Sequence, residues 1–161
     1  MLERIGSYPN SGWDVYSLAV HDPDDLPDAF PVSSEKFVCL LAWNAAHASP
    51  QTIAAVAEKL LRAGCVCFCC WGRDCERVHD IIDEVAAGNG ASNNAWPNIL
   101  ITWHAKITLR EAVAFLLDFA RPNAIYLHQC SAAVAIDIGR EFEAGFLEFA
   151  LIHKFIQPPV E

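Results

Sequence analysis

Apolar runs that end in tryptophan recur three times along this chain. They cover residues 37–43, 65–71 and 99–103. Their tryptophans, Trp43, Trp71 and Trp103, are separated by 28 and 32 residues, about the length of one strand–helix–strand unit. This spacing predicts parallel strands that point the same way, with three indoles converging at the carboxyl edge of one sheet.

Three amphipathic helix patterns follow these runs. The first begins after Ser49, an N-cap residue, and ends at Gly64. The second begins after Asp74, which we expect to cap it, and ends at Gly88. The third begins after Thr108 in the sequence form of a capping box. Apolar residues at helical spacing predict that each helix buries one face.

The segments outside this repeat are assigned from shorter patterns. Residues 14–20 are predicted to form an edge strand, 21–31 an acidic, proline-rich loop, and 88–97 a flexible connection. Residues 124–128 are predicted to form a fourth strand.

The C-terminal part is less regular. The alternation of Val134, Ile136 and Ile138 indicates an edge strand, although a helix from Ser131 fits as well. Residues 140–156 are predicted to be helical, with one apolar side that includes Phe142, Phe146 and Phe149.

Together these elements predict a three-layer α/β domain, Rossmann-like or flavodoxin-like, with a mostly parallel sheet of four to six strands and helices on both faces. We expect a single domain over residues 1–161. Residues 1–35 hold the first edge strand and the acidic loop, 36–130 the strand–helix core, and 131–161 another edge strand and the C-terminal helix.

Composition and net charge limit the location and the classes of partner that we expect for this protein. Hydrophobic residues make up 53% of the chain, no apolar stretch is long enough to span a bilayer, and the N-terminus lacks a secretory pattern, so we expect a cytoplasmic protein. The net charge of −9 disfavours nucleic acids and membranes and suits a basic protein partner.

Seven cysteines are an odd number in a chain without an export signal, so we expect reduced, buried thiols rather than disulfides. Cys65, Cys67 and Cys69 alternate along one strand and are predicted to share a face.

The candidate site is the carboxyl edge of the sheet, where ligands of open α/β sheets bind. The indoles there are expected to close the core, to contact a protein partner or to stack on a flat ligand. The candidate ligand- or partner-binding residues are Trp43, Asn44, Trp71, Arg73, Asp74 and Trp103.

Cys75 is the candidate nucleophile, because the start of a helix favours a thiolate, with His104 or His128 as its base. The alternative is a buried, inert cysteine. Cys75 and His79 share a helical face and form a zinc site if His104, His128 or Cys130 completes it, but no HxxxH pair is present. We therefore expect no metal and no cofactor.

Residues 70–80 (CWGRDCERVHD) and 102–105 (TWHA) resemble segments of small, functionally uncharacterised bacterial α/β proteins. The resemblance implies a bacterial or phage context and supplies no activity to transfer.

No GxSxG elbow, Walker loop, HExxH or GxGxxG sequence is present. We therefore expect a non-enzymatic interaction protein, such as an immunity-type inhibitor or a regulatory or defence-associated protein. The alternative is a small-molecule site for a nucleotide-like ligand at the carboxyl edge, or an enzyme acting through Cys75 and His104. A homodimer is a third option, because Phe115 and Phe119 lie off the buried stripe of their helix.

Overall fold

The structure, a computed structural model, describes residues 1–88 and 96–139. Its strands are β1 (Glu3–Ser7), β2 (Asp14–Val20), β3 (Lys36–Trp43), β4 (Cys65–Trp71), β5 (Leu100–His104) and β6 (Cys130–Ile138). Its α-helices are α1 (Pro50–Ala63), α2 (Cys75–Ala87) and α3 (Leu109–Asp118). The three tryptophan runs therefore form strands, and helices follow them at the predicted places.

The six described strands form one open mixed sheet in the order β1-β2-β6-β3-β4-β5. All neighbouring strands run parallel except β1 and β2, which are antiparallel. The α/β class is therefore confirmed, with an antiparallel strand at one edge. From β3 the chain adds β4 and β5 on one side, and β6 then returns to the other side of β3, so the strand order reverses between β3 and β6.

Two strands predicted to be at sheet edges are interior. β2 lies between β1 and β6, and β6 lies between β2 and β3. The prediction missed β1, whose short sequence ERIGS contains little apolar alternation. It also misread β6, in which every residue after Ser131 is buried. A strand covered on both faces is apolar throughout, and this is typical of the centre of a parallel sheet.

The predicted strand at residues 124–128 is wrong. These residues belong to a 3-10 helix, Ala124–Gln129, because the Asn123 side chain accepts a hydrogen bond from the Ile125 amide and starts a turn. The predicted helix at 140–156, with Phe142, Phe146 and Phe149, lies outside the described residues. So do positions 89–95 of the predicted connection.

The helix starts differ in how they are capped. Ser49 caps α1 and Thr108 forms a reciprocal capping box with Glu111 in α3, as predicted. Asp74 precedes α2 as predicted but does not cap it. Its backbone is left-handed, with φ 64°, and its carboxylate instead pairs with Arg77 at 3.2 Å.

The two faces of the sheet carry separate apolar layers. α1 and α2 cover the face of the sheet that carries Phe37 and Phe68, and α3 covers the face that carries Leu40. We call these the α1/α2 side and the α3 side. They position the site, because successive residues of each strand point to opposite sides.

All seven cysteines are free and buried, as predicted. Burial raises the pKa of Cys39 and Cys70 well above the ordinary value for a thiol, which makes them inert. The prediction that the three β4 cysteines share one face is wrong for Cys65. A shift of register near Phe37 puts Cys65 on the α1/α2 side, whereas Cys67 and Cys69 pack on the α3 side.

Candidate functional site

A cavity of about 370 Å³ opens at the carboxyl ends of β3, β4 and β6. It lies where the strand order reverses between β3 and β6, which is the usual ligand position in open α/β sheets. Its volume falls within the range of small-molecule sites. The lining residues that bear on function are Trp43, Asn44, Trp71, Arg73, Ile107 and Asp137.

The three strand-end tryptophans share one edge of the sheet but not one pocket. Ala42 pairs with Trp71 across β3 and β4, so the neighbouring Trp43 points to the opposite side. Trp43 is 6% exposed and closes the core on the α1/α2 side. Trp71 packs on the α3 side and lines the cavity.

Trp103 lies on the outer strand, away from the cavity. Its register partner Cys70 packs on the α1/α2 side, and the indole lies 4.5 Å from the ring of His79 on α2. It is 45% exposed. The expected convergence of three indoles is therefore wrong: Trp43 and Trp71 both border the cavity but their indoles point to opposite sides of the sheet, and Trp103 belongs to a separate surface.

Backbone contacts hold the cavity wall in place. The Trp71 indole N–H donates a hydrogen bond to the Ile107 carbonyl at 2.9 Å, which orients the ring. Gly72 has φ 115°, and a Cβ atom there would lie 2.3 Å from the carbonyl oxygen of Trp43. A glycine is therefore required for β3 and β4 to end this close together.

The loop after β3 is tied to the start of α2. The Ala45 amide donates to the Arg73 carbonyl at 3.0 Å. The Arg77 guanidinium donates to the carbonyls of Ala45 and Ala48 at 2.6 and 2.9 Å. Arg77 therefore positions the loop that carries Asn44.

The polar groups of the cavity include one negatively charged and one positively charged side chain. Asp137 is a buried carboxylate, 5% exposed, at the end of β6. Arg73 is exposed, and its guanidinium forms no ion pair or side-chain hydrogen bond with the described residues. The Asn44 side-chain oxygen accepts a hydrogen bond from the Ala46 amide at 3.1 Å, which fixes the orientation of its amide group.

The structure does not assemble Cys75 and His104 into a nucleophile–base pair. Cys75 is 2% exposed and packs on the α1/α2 side. Burial raises the pKa of its thiol, although hydrogen bonds with the backbone of His104 and neighbouring residues oppose this. The His104 imidazole instead packs 4.4 Å from the Phe115 ring on the α3 side, and burial lowers its pKa.

His128 is at the wrong edge to act as the base. It precedes Cys130, which pairs with Lys36 at the amino end of β3. His128 lies in the 3-10 helix Ala124–Gln129, not at the end of a strand that reaches the site. His79 pairs with Asp80 at 2.9 Å, and residues 1–88 and 96–139 contain no group of three or more His, Cys, Asp or Glu side chains arranged to hold a metal ion.

Most of the chain matches the model of a known protein family. A model of the family described as Domain of unknown function (DUF7684) matches residues 15–152. The chain belongs to this family. The match spans β2 to β6, so the whole cavity wall lies within the DUF7684 domain. No curated protein and no solved structure matches the chain.

The cavity of the DUF7684 domain contains residues that sequence reasoning missed. Asp137 and Ile107 line it, but neither is a predicted site residue, and the alternation in β6 predicts an edge strand. One signal was present, because Asp137 is the single charged residue in the apolar run of β6. An acidic residue in a fully buried strand is unusual enough to mark a site.

Within the described residues, no helix of this DUF7684 domain is long and apolar enough to cross a membrane.

Proposed function

We propose that the domain binds a small planar ligand with an anionic group, of the nucleotide-like kind, in the cavity at the carboxyl ends of β3, β4 and β6. The observation that supports this proposal is the cavity of about 370 Å³ at the reversal of strand order.

The side chains that line the cavity have distinct roles in this proposal. The oriented indole of Trp71 stacks on the ring of the ligand. The guanidinium of Arg73 pairs with the anionic group, since no described carboxylate neutralises it. Asn44 and Asp137 offer hydrogen bonds to the edge of the ring.

The proposed ligand class is tested by isothermal titration calorimetry with matched nucleosides and nucleoside monophosphates. We expect Arg73→Gln to weaken monophosphate binding about 10-fold or more, because a charge-assisted hydrogen bond contributes ~1.5–3 kcal/mol. Nucleoside binding is expected to change little. Trp71→Leu is expected to weaken both, because it removes the stacking surface.

Arg62→Gln is the matched control, because Arg62 lies at the end of α1 and pairs with Glu58. It is expected to bind like the unmodified protein. The proposal is wrong if no member of the panel binds more tightly than ~1 mM, or if Arg73→Gln and Arg62→Gln behave alike.

The second candidate function is docking to a basic protein, as an immunity-type inhibitor or a regulatory or defence-associated protein does. The observation that favours it is the outer face of α2, where four exposed acidic residues lie within nine positions. They are Glu76, Asp80, Asp83 and Glu84. A surface of one sign attracts a partner of the other and speeds its association.

Co-purification from the native host tests this second function. We expect a stoichiometric basic partner that is released by raised salt and lost from the double variant Asp83→Asn/Glu84→Gln. The control Asp24→Asn/Asp28→Asn removes the same charge from the acidic loop and is expected to retain the partner. Equal retention by both double variants argues against docking on α2.

A further inference from the structure

β5 is the last strand on one side of the described sheet, and it exposes apolar side chains on both faces. Leu100 pairs with Cys67 and therefore points to the α3 side, where it is 42% exposed. Trp103 points to the α1/α2 side and is 45% exposed. Neither helix layer fully covers this strand.

The two outer strands of the sheet differ in how they are protected. β1 carries Glu3 and Arg4, and a shift of register separates Arg4 from Gly6. Charges and bulges of this kind prevent an edge strand from pairing with another chain. β5 reads LITWH and contains no Lys, Asp, Glu, Pro or Gly. It therefore lacks the features that block strand addition.

The exposed apolar surface extends from β5 over the α3 side. Phe119 is 71% exposed, and its ring lies 5.8 Å from Phe115, which packs against His104 of β5. The Tyr126 hydroxyl donates to the Pro97 carbonyl at 2.5 Å, which fixes the 3-10 helix beside the start of β5. That helix adds two exposed side chains, Ile125 and Leu127.

We propose that β5 is the contact strand of a homodimer, pairing antiparallel with β5 of a second copy about a twofold axis at Thr102. The two sheets then continue as one. Leu100 of each copy lies opposite His104 of the other, on the α3 side. Phe119 and the 3-10 helix contact their counterparts beyond the strand.

A second copy fits this edge because of its shape and charge. Apolar side chains on both faces require a partner that continues the sheet and brings a covering layer on each side, and the same edge of another copy does this. Because β5 is uncharged, the pairing sets no like charges opposite each other despite the net charge of −9.

The exposed side chains support the same partner. All but one of the large hydrophobic side chains that are exposed among the described residues belong to this surface: Leu100, Trp103, Phe119, Ile125 and Leu127, which are 42–71% exposed. Exposed apolar side chains that cluster in this way mark a contact surface.

Sedimentation velocity of the full chain over a range of concentrations tests the dimer. We expect the unmodified protein to dimerise and Leu100→Lys to raise the dimer dissociation constant about 100-fold or more, because it buries a charge at the contact. Ala55→Lys adds the same charge at an exposed position of α1 and is expected to leave the dimer intact. Circular dichroism shows whether each variant is folded.

A second variant tests the axis itself. Residues directly opposite in antiparallel strands have Cα atoms about 4.5–5.5 Å apart, within the range for a disulfide. Thr102→Cys is therefore expected to form a disulfide-linked dimer under mild oxidation. Ala55→Cys is expected to form none, and the seven natural cysteines are buried.

Two results overturn the proposal. One is a protein that stays monomeric at every concentration, which is the result expected if another segment or a foreign peptide covers β5. The other is a dimer in which Thr102→Cys forms no more disulfide than Ala55→Cys. The disulfide measurement decides the matter if Leu100→Lys fails to fold.

Discussion

Gly72 is the residue on which the cavity geometry depends most directly. Its φ of 115° excludes side chains on conformational grounds, and the Trp43 carbonyl excludes them on steric grounds. The sequence shows a glycine directly after β4. It does not show that β3 approaches this glycine closely, because only the structure shows which strand lies beside β4.

Replacing this glycine is expected to destabilise the domain. Gly72→Ala should lower the free energy of unfolding by about 3 kcal/mol, because it adds a clash with backbone to the strain of a left-handed residue. Urea unfolding measures the change. Gly12→Ala is the matched control, since Gly12 has φ 74° but open space around it, and is expected to cost ~1 kcal/mol. Equal losses in the two variants would contradict the steric argument.

At the site, the sequence predicts which residues lie at the carboxyl edge more reliably than which of them lie side by side. Trp43, Asn44, Trp71 and Arg73 line the cavity as strand-end residues should. Trp103 does not, because it lies on the outer strand β5, away from the reversal of strand order, and its indole packs beside the His79 ring. Partnerships between strands depend on register, and register is a long-range property that local patterns do not contain.

Among the elements, the helix starts show how side-chain chemistry sets a boundary. Thr108 and Glu111 satisfy each other's backbone amides at the start of α3, and Ser49 accepts from Thr52 in α1. Asp74 stands at the corresponding position before α2. Its side chain is of a type that caps helices, but its backbone is left-handed rather than extended. N-cap residues need extended φ and ψ, which the tight turn after Gly72 denies.

The stabilities of the helix starts are expected to differ accordingly. Thr108→Ala should lower the free energy of unfolding by about 1 kcal/mol, because it removes an N-cap hydrogen bond. Asp74→Asn should cost less than ~0.5 kcal/mol, because no cap is lost and asparagine tolerates the left-handed backbone. Thermal unfolding at neutral pH compares the two, and an Asp74 variant as costly as the Thr108 variant would contradict the assigned geometry.

Periodicity predicted strands and helices well where long stretches repeat. The helices α1 and α2 and the strands β3, β4 and β5 begin and end within a residue of their predicted bounds, and α3 begins where predicted. Periodicity failed where a short apolar stretch fits both a strand and a 3-10 helix. Ile125 and Leu127 alternate like strand residues, yet the Asn123 turn places both in an exposed 3-10 helix.

At the scale of the whole molecule, strand order was the quantity that sequence could not supply. The α/β class follows from alternating elements, and the carboxyl edge follows from parallel strands. The position of β6 follows from neither, because it depends on the contacts of residues more than a hundred positions apart in the chain. That position creates the cavity, since it brings Asp137 beside Ala42.

The insertion of β6 has a consequence for how the protein is made. β2 hydrogen-bonds to β1 and β6 but not to β3, so among the described strands the N-terminal hairpin joins the rest of the sheet only through β6. β6 is the last described strand to be synthesised, so the six-stranded sheet cannot be complete before position 138 has left the ribosome. The cavity cannot exist earlier either, because Asp137 and Ile138 of β6 form part of its wall.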